Sequence, residues 1–282
     1  MRKNGPYDKI VPPEIGGKDL KYRVTSYTLT HEKISKGLSG YRIALFSDVH
    51  NCAGAPVRAW TARMLEKIRP DVVLVPGDLI MKHRVDGEEE PGLDAALELL
   101  RETAARWPVC LSNGNHEARL RRYSEAAYSA FCEQARSFGV RVLENDRIGL
   151  APGLTLTALD LPLAYYNDRH RTLSAEELSQ WIPGPDPGFN ILMAHTPEFF
   201  PAYAGWGAEL TVSGHIHGGV IRLPGLGGLF SPYLTLFPRY DYGRYEADDK
   251  TMIVTSGLGQ HSLPVRFRNP LEIVRIVLRS PR

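Results

Sequence analysis

The chain reads as an α/β protein. Apolar, strand-like runs alternate with stretches of helical periodicity, and five of those runs stop at clusters of polar residues able to bind metals. Tyr22 to Leu29 alternates apolar and polar residues and predicts a strand. Tyr41 to Phe46 is an apolar run that ends in Ser47-Asp48-Val49-His50. A helix follows, with Val57, Trp60, Met64, Leu65 and Ile68 on one face, and Pro70 ends it. Val72 to Val75 has the composition of a buried strand and stops at Pro76-Gly77-Asp78.

Leu93 to Ala105 is helical, and Val109-Cys110-Leu111 runs into Ser112-Asn113-Gly114-Asn115-His116-Glu117. Tyr123 to Phe138 predicts a further helix, Leu154 to Leu159 a strand, and Ser174 to Trp181 a short capped helix. Ile191 to Ala194 leads to His195, and Leu210 to Val212 leads to Ser213-Gly214-His215-Ile216-His217. Thr251 to Thr255 and Leu271 to Leu278 close the chain as strands. Residues 1–20, rich in Gly, Pro and Lys, read as a loose leader, and 21–282 as a single domain without internal repeats.

Composition narrows the function. With 43% hydrophobic and 23% charged residues, 282 residues can bury a large core. A net charge of +2, with no stripe of aromatic and basic residues, speaks against nucleic acid as a partner. Cys52, Cys110 and Cys132 have no paired spacing and support no disulfide framework. The start Met1-Arg2-Lys3 lacks the apolar run of a signal peptide, and no stretch approaches the ~20 apolar residues of a membrane span. The expectation is a cytoplasmic protein as written, or a membrane-associated or exported one if an N-terminal anchor has been removed.

The five polar ends are Asp48/His50, Asp78, Asn115/His116, His195 and His215/His217. Ligands of open α/β sheets collect beyond the carboxyl ends of strands, so these ends could share one site. Imidazole suits Zn, Fe and Ni, while carboxylate suits Mn and Mg, and no thiolate is placed to select a soft metal. On a regular strand, Asp48 and His50 would point to one face, and so would His215 and His217. Each piece alone has a bland explanation: Gly-Asp is usually a turn, and a lone His195 is more often a satisfied core histidine. The five in this order have none.

The ordered pattern resembles the calcineurin-like metallophosphoesterase superfamily over nearly the whole chain from Tyr41. Segments such as Ser213 to Gly219, Gly227 to Pro232, Leu236 to Tyr240, and Gly257-Leu258-Gly259 followed by Pro264 to Phe267 are similar to its YkuE-like bacterial subgroup. The resemblance implies a four-layer α/β/β/α sandwich of two mixed sheets with two divalent ions, Mn, Fe or Zn, at the strand ends. It implies that Asp48, His50 and His217 hold one ion, that Asp78 bridges, and that Asn115, His195 and His215 complete the second. His116 would face the substrate phosphate as a general acid, while a water acidified by both ions attacks phosphorus in line. Family members commonly carry an Asp three residues after the bridging one; here that position is Met81, which leaves open what orients His116. The subgroup's paired carboxylates are also reduced to Asp160.

Several residues invite a role and have a plainer reading. Cys52 could line the site, though core packing is the simpler account, and His261 could face substrate or sit in a solvated loop. Arg119, Arg121 and Arg122 could meet a second phosphate or be exposed helix arginines. Residues 223–237 form either an apolar rim for a lipid-bearing substrate, with peripheral membrane contact, or a loop folded on its own core. Glu88-Glu89-Glu90 reads as a solvated loop. The expected function is hydrolysis of phosphate mono- or diesters or of a lipid-linked or nucleotide-sugar pyrophosphate. A nuclease using the same metal chemistry and a non-catalytic scaffold are the rivals; a scaffold should have lost ligands, and none is missing.

Overall fold

A computed structural model describes residues 22–85, 88–168, 170–219, 221–223, 227–229, 236–259 and 266–281. The leader, His261 and most of the proposed apolar rim, including Leu226, Phe230, Tyr233 and Leu234, lie outside these residues. In chain order the first half comprises β1 (Tyr22–Thr30), β2 (Arg42–Leu45), α1 (Ala55–Ile68), β3 (Val72–Pro76), β4 (Met81–Val85), β5 (Glu88–Gly92), α2 (Asp94–Ala104), β6 (Val109–Ser112), α3 (Asn115–Tyr123), α4 (Glu125–Ser137) and β7 (Arg141–Leu143). The second half comprises β8 (Arg147–Ala151), β9 (Leu154–Leu159), α5 (Ala164–Asn167), α6 (Ala175–Trp181), β10 (Phe189–Ala194), α7 (Phe200–Trp206), β11 (Leu210–Ser213), β12 (Arg222–Leu223), β13 (Gly227–Gly228), β14 (Gly243–Ala247), β15 (Lys250–Val254) and β16 (Leu271–Arg279).

Two six-stranded sheets result, ordered β1-β16-β2-β3-β6-β7 and β14-β15-β11-β10-β9-β8. In the first, β2, β3, β6 and β7 run parallel, and β16 meets β2 antiparallel. In the second, β9, β10, β11 and β15 run parallel between antiparallel edge strands β8 and β14. The parallel strands are apolar on both faces because both faces are covered. Ile43, Leu45, Leu74 and Ile276 of one sheet meet Leu156, Ile191, Met193 and Val212 of the other in a shared core. Trp60, Met64, Leu100 and Phe131 of α1, α2 and α4 cover the outer face of the first sheet. Tyr165, Leu178, Ala202 and Tyr203 of α5, α6 and α7 cover the second. The layers are therefore α/β/β/α, as the resemblance implied.

Two expectations need correction. The helix expected over Tyr123 to Phe138 is α4 but starts later, at Glu125: Tyr123 ends α3, and Ser124 between them is extended at φ −149° and ψ 97°. Its hydroxyl accepts a hydrogen bond from Ala127 N at 3.2 Å, so the break is also the N-cap of α4. The Glu88-Glu89-Glu90 run is not a loop but part of β5, paired antiparallel with β4. A ladder made by backbone groups admits side chains of low β-propensity, which is why composition hid it. No helix among the described residues is long and apolar enough to cross a membrane.

Candidate metal centre

Strand direction assembles the site. β2, β3 and β6 are neighbours in one sheet and β10 and β11 in the other, all parallel within their sheet. Their carboxyl ends release Asp48, Asp78, Asn115, His195 and His215 at one edge of the sandwich. The turns there are zipped together: Asp48 N donates to Gly77 O at 3.1 Å, Val49 N to Asp78 O at 2.8 Å, and Gly214 N to His195 O at 2.9 Å.

The same-face argument from regular strands does not apply. β2 ends at Leu45 and β11 at Ser213, before the residues concerned. Asp48 (φ 51°), His50 (φ 49°), Asp78 (φ 53°), His215 (φ 72°) and His217 (φ 51°) all adopt left-handed backbone. Such conformations cost non-glycine residues energy and cluster at functional sites. Convergence here comes from tight turns, and the surrounding ladder holds those turns in place.

Three groups of ligand atoms each lie within 4.8 Å of one another: Asp48/His50/His217, His50/Asp78/His116 and Asp78/His195/His215. His50 Nε2 and His217 Nε2 are 2.8 Å apart with their rings stacked at 4.7 Å. His217 Nε2 lies 3.4 Å from Asp48 Oδ1, and His195 Nε2 lies 3.1 Å from Asp78 Oδ2. Asp78 and His50 belong to two groups each, so the groups form one continuous cluster. His116 enters it through its ring, which meets His50 edge-on at 4.8 Å, and its backbone N donates to Asp78 Oδ1 at 2.9 Å.

The donors fit divalent cations. Asp48, His50, Asp78, His195, His215 and His217 are all buried. Asn115 is buried at the start of α3, and its Oδ1 has no hydrogen-bond partner among the described residues. An amide oxygen so placed is a ready ligand and costly to leave otherwise. His195 Nδ1 donates to Pro76 O at 2.6 Å, which turns Nε2 toward Asp78 and the candidate cluster. Ser47 Oγ donates to Asp48 Oδ2, and His215 N donates to both Asp48 oxygens at 3.0 and 3.1 Å, fixing that carboxylate.

Electrostatics agree. Burial pushes the Asp48 carboxyl up to about 6, with His195 pulling it down and Asp78 adding to the rise. Burial would raise Asp78 as well, but His195, His116 and His50 outweigh it and hold that carboxyl well below its usual range. Burial alone would lower His195, yet Asp78 and Asp48 raise it to about 9. Burial and His195 together hold His215 well below an ordinary histidine. Both carboxylates are thus ionised at neutral pH, and a cation entering beside His195 would displace its proton.

Two glycines make room for the carboxylates. A Cβ on Gly114 would fall 2.2 Å from Asp78 Oδ1, and one on Gly214 would fall 2.2 Å from Asp48 Oδ2. The Gly-Asn-His and Gly-His-x-His spacings are explained by this close approach.

Other residues were not singled out by sequence. Glu117 accepts from Asp78 N at 2.8 Å, Leu79 N at 2.9 Å, Ile80 N at 3.2 Å and Gly114 N at 2.8 Å. It ties the Asp78 turn to the start of α3, and so steadies Asn115 and His116 where Met81 offers no carboxylate. Its spacing from Gly114 matches a capping box, a signal present in the sequence. Arg266 Nη2 lies 3.3 Å from His217 Nδ1 and donates to Ser256 O at 2.8 Å. Tyr166 packs on His195 and His215.

The remaining candidates resolve more plainly. Arg121 pairs with Asp160 at 2.7 Å and Glu144 at 3.0 Å, so it braces α3 against the end of β9. Asp160 also accepts from Asn113 Nδ2 at 3.1 Å. Cys52 is half-buried, with its Sγ 3.4 Å from His50 O, while Cys110 and Cys132 are buried free thiols.

Comparison with known proteins gives the family. The "Uncharacterized metallophosphoesterase YkuE" of Bacillus subtilis (strain 168) is 28% identical over 260 residues, covering 91% of this chain and 85% of that one. An "Uncharacterized metallophosphoesterase" of Aquifex aeolicus (strain VF5) is 25% identical over 269 residues, covering 92% of each. The Danio rerio "Transmembrane protein with metallophosphoesterase domain" is 26% identical over 273 residues, covering 92% of this chain and 57% of its own. Residues 41–219 match the sequence profile of the calcineurin-like phosphoesterases, which is more than half of the chain. On that match the chain belongs to the calcineurin-like phosphoesterase family and is a hydrolase.

Proposed function

We propose that the protein hydrolyses phosphate esters or phosphoanhydrides at a pair of divalent cations. The observation that carries this is the continuous cluster of ligand groups sharing Asp78 and His50. Asp48, His50 and His217 would hold one cation, Asp78 would bridge, and Asn115, His195 and His215 would complete the other. Such ions supply Lewis acidity, acidifying a water and offsetting charge on the phosphoryl oxygens. The chain's own groups do the rest. Pro76 O fixes the His195 tautomer, Ser47 and the His215 amide orient Asp48, and Glu117 holds the Asp78 turn against α3. His116 stands at the edge of the cluster and is the group we assign to the leaving oxygen, as hydrogen-bond or proton donor.

A cavity of about 440 Å³ lies beside Ile216, its lining including Arg171, Glu198, Phe199, Pro201, Arg239 and Tyr240. Its largely apolar walls, with two arginines against the single carboxylate of Glu198, favour an ester or pyrophosphate that carries an apolar group, lipid-linked substrates included, over a bare phosphate. Leu236 and Phe237 are exposed, which favours the apolar rim with peripheral membrane contact over the alternative of a loop folded on its own core for residues 223–237. The borderline donor set favours Mn, Fe or Zn. Elemental analysis of the purified protein, with turnover of mono-, di- and pyrophosphate substrates after metal loading, tests the reading. Close to two transition-metal ions per chain and metal-dependent turnover are expected. No tightly held metal and no turnover would overturn it.

A further inference from the structure

Tyr166 lies on α5, a short helix over the second sheet. Its ring meets His215 at 5.4 Å and 60° and His195 at 6.0 Å and 54°, so it walls the second candidate cation position. Its neighbours hold it there. Tyr166 N donates to Leu163 O at 3.1 Å, the adjacent Tyr165 hydroxyl donates to Glu177, and the Tyr165 ring packs edge-on against Trp181 and Phe199. Phenylalanine would serve equally well if packing were the only role.

The hydroxyl is what packing leaves unexplained. Tyr166 is 7% exposed, and its hydroxyl oxygen is not among the fully buried unpartnered atoms of the described residues, so it reaches solvent beside the two histidines. A phenol whose ring borders both histidines and whose oxygen is open to solvent is available to a partner that arrives with substrate, which phenylalanine could not meet. A phenol keeps its O–H at neutral pH and is therefore a donor. The carboxylates of the cluster cannot donate to a phosphate oxygen, whereas this phenol can.

We propose that the Tyr166 hydroxyl is a substrate-binding group of this site, donating a hydrogen bond to a non-bridging oxygen of the phosphate beside His195 and His215. This rests on the phosphoesterase reading above. It differs from the role of His116, because a non-bridging contact is indifferent to the leaving group.

The test compares wild type with Tyr166→Phe, which keeps the ring. Metal content and thermal stability should be unchanged. The affinity of the metal-loaded protein for inorganic phosphate, measured by calorimetry, should fall by about 10- to 100-fold, the range for a hydrogen bond to a charged group. The ratio kcat/KM should fall in parallel, and equally for nitrophenyl and alkyl esters. Phosphate affinity and kcat/KM both within about twofold of wild type would overturn the proposal while leaving the phosphoesterase reading intact. A wild-type protein that neither binds phosphate nor turns over any ester would overturn that reading, and this proposal with it. Loss of metal in Tyr166→Phe would assign the hydroxyl to holding the cation site, which also overturns the proposal.

Discussion

Replacing Glu117 should unsettle the metal centre without touching any proposed ligand. Its carboxylate is fully buried and accepts four backbone N–H groups, two on each oxygen. Glu117→Ala leaves those donors without a partner. A buried unsatisfied donor costs about 1–3 kcal/mol, so four amount to at least about 4 kcal/mol before relaxation. Part of this is returned, because the carboxyl is itself strained: burial first, then the Asp78 charge, push it up to about 7, against the pull of the Gly114 and Asp78 amides. The net expectation is about 2–4 kcal/mol of destabilisation. At ~2–4 °C per kcal/mol for domains of this order, thermal unfolding should move down by about 5–15 °C. Metal content should fall with it, since the Asp78 turn and the start of α3 lose their shared anchor. Glu117→Gln should lie between, because one oxygen becomes an NH₂ that faces two donors. Circular dichroism melting with elemental analysis of the same samples reads both effects. A Glu117→Ala protein that melts within about 1–2 °C of wild type and keeps its metals would refute the reasoning.

Asp78 is grouped with His50 and also with His195 and His215, whereas neither group of His50 includes His195 or His215, so Asp78→Ala should remove both ions and most activity and His50→Ala should mainly weaken one; retention of both ions by Asp78→Ala would show that it does not bridge. His116→Ala should leave metal content nearly intact and lower the rate by on the order of 10²-fold for alkyl esters, with a smaller loss for nitrophenyl esters that need no proton. Loss of metal instead would make His116 a ligand, a role its distance to His50 and Asp78 would then explain. Glu209 is a stability probe far from this chemistry: burial would raise it, but Lys33, Asn190 and Lys250 lower its pKa. A depressed carboxyl stabilises the fold above its unfolded pKa and stops doing so as pH falls through the folded one. Glu209→Gln should therefore melt below wild type at neutral pH, and the difference should close below the ordinary carboxylate range; a constant gap across pH would contradict the ion-pair account.

The sequence by itself determined the class of fold and the chemistry on offer. Runs such as Val72 to Val75 and Ile191 to Ala194 are apolar at every position, because both faces of a parallel strand are covered, and burial leaves that mark whatever the partner strands are. Asp48, His50, Asp78, Asn115, His195, His215 and His217 stood out because a strand end is where side chains become free of packing. Only tertiary structure decided how they meet. Five of those residues take left-handed backbone, and the mild tendency of Asp and His toward it is too weak to mark these positions; the turns exist because neighbouring loops hydrogen-bond across two sheets. Glu117 was legible as a capping residue but not as the tie to Asp78, since its partners lie 37 to 39 residues away. Tyr166 had no signal at all: a tyrosine in a four-residue helix looks like core, and its place against His195 and His215 is set by the packing of α5 on the second sheet. Residue type is a local property that can be read along the chain, whereas proximity between distant segments depends on strand order and direction, which no short stretch encodes.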